Sequence, residues 1–154
     1  MILEVFEFNQ RALGIEPRVA LGFKSPSKEV DFLRKALVEE GDELLLASYN
    51  IGPDGKLCAD AVAIVHQVDA CIDAAYFSIG GLARLGLTAS QAVACFSAIH
   101  QANMTKKLGT THRGDVGVPD GTKPPDWVGP ENTIARILFG HDLATLERFA
   151  KEGK

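Results

Sequence analysis

Acidic residues recur in this chain at spacings that suit one side of a helix. In VEEGDEL, Glu40 and Glu43 are three apart and Glu39 and Glu43 are four apart, so a helix presents all three along one side. Read alone, that cluster is a solvated acidic face. A second pair, Asp69 and Asp73, is four apart in ADAVAIVHQVDACIDAAYFSIGGLARLG, a segment apolar at most other positions. A helix apolar on nearly every face is expected to be largely buried. Two buried carboxylates must be protonated, hydrogen-bonded or neutralised by a cation, and no Lys or Arg lies between Lys56 and Arg84 to do this locally. Arginines from elsewhere, such as Arg34, are the structural alternative. If the two acidic helices pack side by side, Glu40, Glu43, Asp69 and Asp73 converge as an all-oxygen cage, which suits hard Mg²⁺ or Mn²⁺ and not zinc. Its open positions would hold phosphates. His66, three before Asp69, and Tyr76, three after Asp73, extend the stripe.

Cationic and polar groups follow. Asn103 and Lys106 are three apart on a third helix, with His100 one turn earlier. His100 reads equally well as a surface histidine. Lys123 and Trp127 sit in TKPPDW, where prolines stiffen the backbone and the indole either stacks on a base or pins the segment to the core. Phe8, Asn9, Tyr76 and Trp127 are candidates for a base pocket. Aromatic rings stack on any base, so they leave the base itself open.

These groups need helices to position them. SKEVDFLRKALVEEGDELLLASYN spaces Val30, Leu33, Leu37, Leu44 and Ala47 as a helix over about 27–48, with Ser27 as N-cap. The Pro-Asp-Gly of NIGPDGKLCAD then reverses the chain. The long apolar segment follows as the central helix of a bundle and closes at Gly86. Thr88 and Gln91 form a capping box for a third helix that runs to Gly109. Residues 110–130 read as a long polar loop of the kind that serves as a lid or binding loop, and 131–154 as two short helices, the second capped by Asp142. The expectation is an all-α helical bundle forming one domain over 1–154, since 154 residues match the roughly 100 to 200 residues of a single domain.

Composition narrows the partners. With 46% hydrophobic and 23% charged residues the chain is ordinary for a folded globular protein. A net charge of -4 without a Lys/Arg cluster argues against nucleic acid or an anionic membrane as the main partner. A membrane span is the rival reading for the apolar segment. His66, Asp69 and Asp73 stand against it, because an Asp at bilayer depth costs about 2.5 to 3.5 kcal/mol. Cys58, Cys71 and Cys95 are odd in number and lie at no metal-ligand spacing, which favours a reducing cytoplasm. MILEVFEFNQ lacks the basic flank of an export signal.

The order VEEGDEL, DACIDAAY, IHQANMTK and, after a glycine-containing loop, KPPDW resembles the all-alpha nucleoside triphosphate pyrophosphohydrolases, the MazG-like and phosphoribosyl-ATP pyrophosphohydrolase-like superfamily. The likeness spans about Glu4 to Trp127. It implies a helical bundle that forms a homodimer or a dimer of dimers, binds Mg²⁺ (with Mn²⁺ as substitute), and cuts a nucleoside triphosphate between the α and β phosphates. By the same resemblance Glu40, Glu43 and Asp73 are metal ligands, Asp69 is a fourth carboxylate in the first or second shell, and Glu39 is a ligand or a base that orients water. Asn103 and Lys106 match an ANMxK element and contact phosphates, with Lys123 joining from the loop. The Asp spacing of four, where many MazG-like members have three, points to the phosphoribosyl-ATP-like branch. The chain is also similar to compact phage members of the MazZ type, which makes dGTP or GTP the first substrate to test. A phosphoribosyl-ATP pyrophosphohydrolase-like enzyme and a non-enzymatic helical interaction module are the alternatives.

Overall fold

The computed structural model describes residues 1–110 and 119–153. Among them are six helices and one small hairpin: α1 (Ile2–Leu13), α2 (Pro26–Ser48), α3 (Asp60–Arg84), α4 (Ala89–Met104), β1 (Lys107–Thr110), β2 (Pro119–Thr122), α5 (Glu131–Phe139) and α6 (Leu143–Glu152). The protein is all-α in class. Its contacts gather into two compact units, Met1–Ala89 and Ser90–Lys154.

In the first unit, α1 forms where no element was expected. It buries Val5, Phe6 and Asn9 along one face and stops at Gly14, whose φ of 63° suits glycine. It packs on α3. Helix α2 starts at Pro26, so its N-cap is Ser25 and not Ser27. Proline has no N–H to satisfy at a first helical position, and the Ser25 amide donates to the Glu29 carboxylate at 3.0 Å. The reversal after α2 is as expected: the Gly55 amide donates to the Gly52 carbonyl at 2.9 Å, with Gly55 at φ 75°.

Helices α2 and α3 form the main packed pair, and they run antiparallel. Near one end the Leu33 side chain rests on the bare backbone of Gly81; near the other, Gln67 donates to the Ala47 carbonyl at 3.1 Å. Helix α3 is not the largely buried element its composition suggests. It buries Ala63, Ala70, Gly80, Gly81 and Ala83, because these small residues let neighbouring helices approach closely. Its larger groups Ile64, Val65, Val68 and Ile72 are all more than half exposed. Asp69 and Asp73 are exposed as well, contrary to the expectation of burial. Among the described residues α3 is the one helix long and apolar enough to cross a membrane by length and composition. Its C-terminal end is clasped by the Arg18 guanidinium, which donates to the carbonyls of Gly22 and Arg84.

In the second unit, α4 ends at Met104 instead of running to Gly109. The Ala102 carbonyl, which the helix would offer to residue 106, accepts instead from the Thr105 hydroxyl at 2.7 Å and the Trp127 indole N–H at 2.9 Å. The Lys106 amide turns to the Asn103 carbonyl at 3.0 Å. Beyond it, β1 and β2 pair antiparallel with Lys107 opposite Thr122 and Leu108 opposite Gly121. Part of the expected 110–130 loop is therefore strand, and its residues 111–118 lie outside the described ones. Helices α5 and α6 follow as expected, and Asp142 caps α6 by accepting from the Thr145 amide at 2.9 Å.

Candidate metal and nucleotide site

The α2 seam facing its neighbours is made of Ala36, Glu40 and Ala47, small residues interrupted by one carboxylate. Glu40 lies seven positions from Leu33 and seven from Ala47, the residues that meet Gly81 and Gln67. Counting seven residues inward from each partner on α3 reaches Ala74, the neighbour of Asp73. The two acidic motifs thus face each other at mid-helix.

Glu40 is 8% exposed and is the one buried charged residue among those described. Burial, followed by the charges of Glu43, Asp73, Glu39 and Asp69, holds its carboxyl above the ordinary value of 4.5. Each of these carboxylate neighbours acts in the same direction, and among the described residues no hydrogen bond or cation offsets them. The structure therefore gathers all five acidic residues singled out in the sequence around one buried centre. Glu39, Glu43, Asp69 and Asp73 form its exposed surroundings. Among the described residues no three His, Cys, Asp or Glu side chains already stand as a ligand set. The fit to a cation is one of charge and donor type: uncompensated carboxylate oxygens, one of them desolvated. His66 and Glu43 share a small cavity of about 20 Å³ against the Gly52–Pro53 turn.

No known family model and no curated protein matches the chain.

One turn beyond Asp73 on α3, Tyr76 joins Phe8 and Asn9 of α1. They line a cavity of about 70 Å³ together with Phe32, Gly80 and Arg84, whereas Trp127, the fourth residue named for a base pocket, does not line this cavity. The Phe8 and Tyr76 rings meet edge to face with centroids 5.9 Å apart. Asn9 is 3% exposed, and its carboxamide N–H donates to the Val5 carbonyl at 2.8 Å. Phe32 and Arg84 are members that the sequence reading did not pick out. The signal available was the four-residue spacing of Tyr76, Gly80 and Arg84, which puts all three on one face of α3.

The second unit holds the remaining candidates. Trp127 pins its segment through the bond to Ala102, and its ring carries two ammonium groups, Lys123 at 4.3 Å and Lys106 at 5.6 Å from the centroid. Neither lysine is in an ion pair with a described residue. Asn103 is exposed in the last turn of α4. Because the helix ends at Met104, Asn103 and Lys106 do not share a helical face as expected; Lys106 is placed by the turn and by the indole. His100 is exposed on α4. A groove of about 550 Å³ runs beside Trp127, lined also by Ala98, Ala102, Thr105 and Lys107, a size within the usual range of small-molecule sites.

Proposed function

We propose that the protein is a divalent-metal-dependent nucleoside triphosphate pyrophosphohydrolase that releases a nucleoside monophosphate and pyrophosphate, with dGTP or GTP as first trial substrate. The observation that carries this reading is Glu40: a buried carboxylate ringed by four others with no described residue to neutralise it. Such a centre is stable at neutral pH when a cation supplies the missing charge. Glu40, Glu43 and Asp73, with Asp69, are the residues that would hold Mg²⁺ or Mn²⁺. When bound, the ion supplies positive charge to phosphate oxygens.

The chain's own groups do the rest. Glu39, exposed beside Glu40, orients a water and takes its proton as the oxygen attacks the α-phosphorus. The bond from that phosphorus to the α,β-bridging oxygen breaks, and pyrophosphate leaves with the bond's electron pair. Asn103, Lys106 and Lys123 are phosphate contacts in this reading, supported for the two lysines by their charges, in no ion pair with a described residue, on one indole. Tyr76 and Asn9 take the base, and Trp127 holds the lysines. The exposed Val65, Val68 and Ile72 of α3 favour a second copy of the chain as partner, in a homodimer or a dimer of dimers. Free thiols at Cys58, Cys71 and Cys95 suit a cytoplasmic setting.

Incubating the purified protein with each ribo- and deoxynucleoside triphosphate and Mg²⁺ or Mn²⁺ tests the reading. Monophosphate and pyrophosphate are expected in equal amounts. Release of orthophosphate, or no product from any triphosphate, overturns it. Calorimetry with Mg²⁺ or Mn²⁺ on wild type and Asp73→Asn separates it from a non-enzymatic helical module, for which no carboxylate-dependent metal binding is expected.

A further inference from the structure

A donor of a second kind stands beside the carboxylates. His66, half-buried on α3, and Glu43 of α2 line one small cavity with Leu46, Ile51, Gly52 and Pro53. The remaining walls bring little that competes for these two side chains. The side chains of Leu46, Ile51 and Pro53 are apolar, and proline has no N–H. The Gly52 amide donates to the Lys56 carbonyl and the Gly52 carbonyl accepts from the Gly55 amide, both at 2.9 Å. The Leu46 carbonyl already accepts from the Tyr49 and Ile51 amides at 3.0 and 3.1 Å. His66 and Glu43 nevertheless form no hydrogen bond or ion pair with each other or with any other described residue. A histidine with a purely structural role would spend a ring nitrogen on a neighbouring carbonyl or carboxylate. The cavity measures about 20 Å³, and one water-sized occupant needs roughly 10 to 15 Å³. An imidazole and a carboxylate thus border a space that fits a single small particle.

We propose that His66 is a nitrogen ligand of the metal ion at the acidic centre, bound together with Glu43, and that it makes the centre select first-row transition ions over Mg²⁺. The proposal rests on the reading of the five carboxylates as a metal centre. Glu43 belongs to the ring of carboxylates around Glu40, so the cavity adjoins that centre. Asp69 follows His66 by three residues and lies on the same side of α3. Carboxylates alone form an all-oxygen set that suits Mg²⁺ and Mn²⁺ alike. A neutral imidazole is a softer donor, which transition ions accept and which Mg²⁺, a hard ion that keeps its waters, does not favour. With one nitrogen in the set, affinity is expected to rise from Mn²⁺ to Co²⁺ and to be lowest for Mg²⁺.

The test is pulsed EPR of the purified full chain with Mn²⁺, in protein carrying nitrogen-15 only at histidine. Coupling of the metal to nitrogen-15 is expected in wild type and in His100→Gln, and is expected to vanish in His66→Gln. By calorimetry, His66→Gln is expected to lose Co²⁺ affinity by roughly 10- to 100-fold, the range that loss of a supporting group at a metal site costs, and to lose far less for Mg²⁺. Mn²⁺ bound without nitrogen coupling, coupling that persists in folded His66→Gln, or equal losses of Co²⁺ and Mg²⁺ affinity overturns the proposal and leaves the carboxylate centre standing. No Mn²⁺ binding by wild type defeats the centre and the proposal together. Should His66→Gln not fold, His66→Asn takes its place, and a wild-type spectrum without coupling overturns the proposal by itself.

Discussion

Leu33 of α2 lies against Gly81 of α3 so closely that its Cδ2 is 2.9 Å from where a Cβ at position 81 would stand. This contact fixes the approach of the two helices whose middles carry the acidic motifs. A methyl at 81 meets only the end of one leucine side chain, and alanine adds about 1 kcal/mol of helix propensity over glycine. Gly81→Ala is therefore expected to be close to neutral. Gly81→Val adds branches that the leucine cannot clear and is expected to cost about 1 to 3 kcal/mol. Urea denaturation of both variants checks this; equal stability of the two would show that the helices are not in close contact there.

Glu40 predicts a pH dependence with a definite sign. Its folded value is raised above 4.5, chiefly by burial and then by its acidic neighbours. Below pH 4.5 the group is neutral in both folded and unfolded chains and has no effect. As pH rises through the raised value, the unfolded chain has already released its proton while the folded protein resists doing so, and stability falls. In the presence of a chelator, wild type is expected to lose stability across this window and Glu40→Gln to lose less. Mg²⁺ is expected to raise the melting temperature of wild type more than that of Glu40→Gln. Parallel stability curves for the two proteins, with and without Mg²⁺, would refute the proposed centre.

The helices were legible in the sequence where periodicity and punctuation agree, as in α2, the Pro53–Gly55 turn and the Asp142 cap. The acidic motifs were legible too, because spacing alone puts Glu40 and Glu43 on one side of a helix. What was hidden is which carboxylate is buried. The apolar richness of α3 suggested Asp69 and Asp73, whereas the small residues Ala63, Ala70, Gly80 and Gly81 decide which face is covered, and the buried carboxylate is Glu40 on the partner helix. The end of α4 was hidden for a different reason. Trp127, 25 residues away, takes the Ala102 carbonyl, and local propensity does not register such a partner. The β1–β2 pair has four residues a side and Gly109 and Gly121 within it, leaving no alternation to read.

Trp127 has two roles that substitution can separate. Phenylalanine keeps a ring for the Lys106 and Lys123 ammonium groups but loses the N–H that reaches Ala102, an expected cost of about 0.5 to 1.5 kcal/mol. Leucine loses the ring as well, and with it the attraction that holds both cations beside one another. Calorimetry with inorganic pyrophosphate is expected to show weaker binding for Trp127→Leu than for Trp127→Phe. Equal affinity in the two variants would mean that the ring does not organise the lysines for an anion.

Asp142 predicts an effect confined to the C-terminal helix. Its carboxylate accepts from the Thr145 amide, and this bond, ahead of the charges of Arg136 and His141, holds the carboxyl below its ordinary value of 3.8. The cap is therefore fully formed above pH 3.8 and is lost as pH falls through the lowered value. Asp142→Ala removes it at every pH, so the amide of Thr145 and its neighbours in α6 are expected to exchange hydrogen faster while pyrophosphate release is unchanged. Asp142→Ser keeps an oxygen acceptor without a titrating charge, so protection of α6 is expected to persist into acid where wild type loses it. Hydrogen exchange at pH 6 and below pH 3 on the three proteins measures this directly. Wild type and Asp142→Ala with the same α6 protection at pH 6 would show that the cap does not hold the helix.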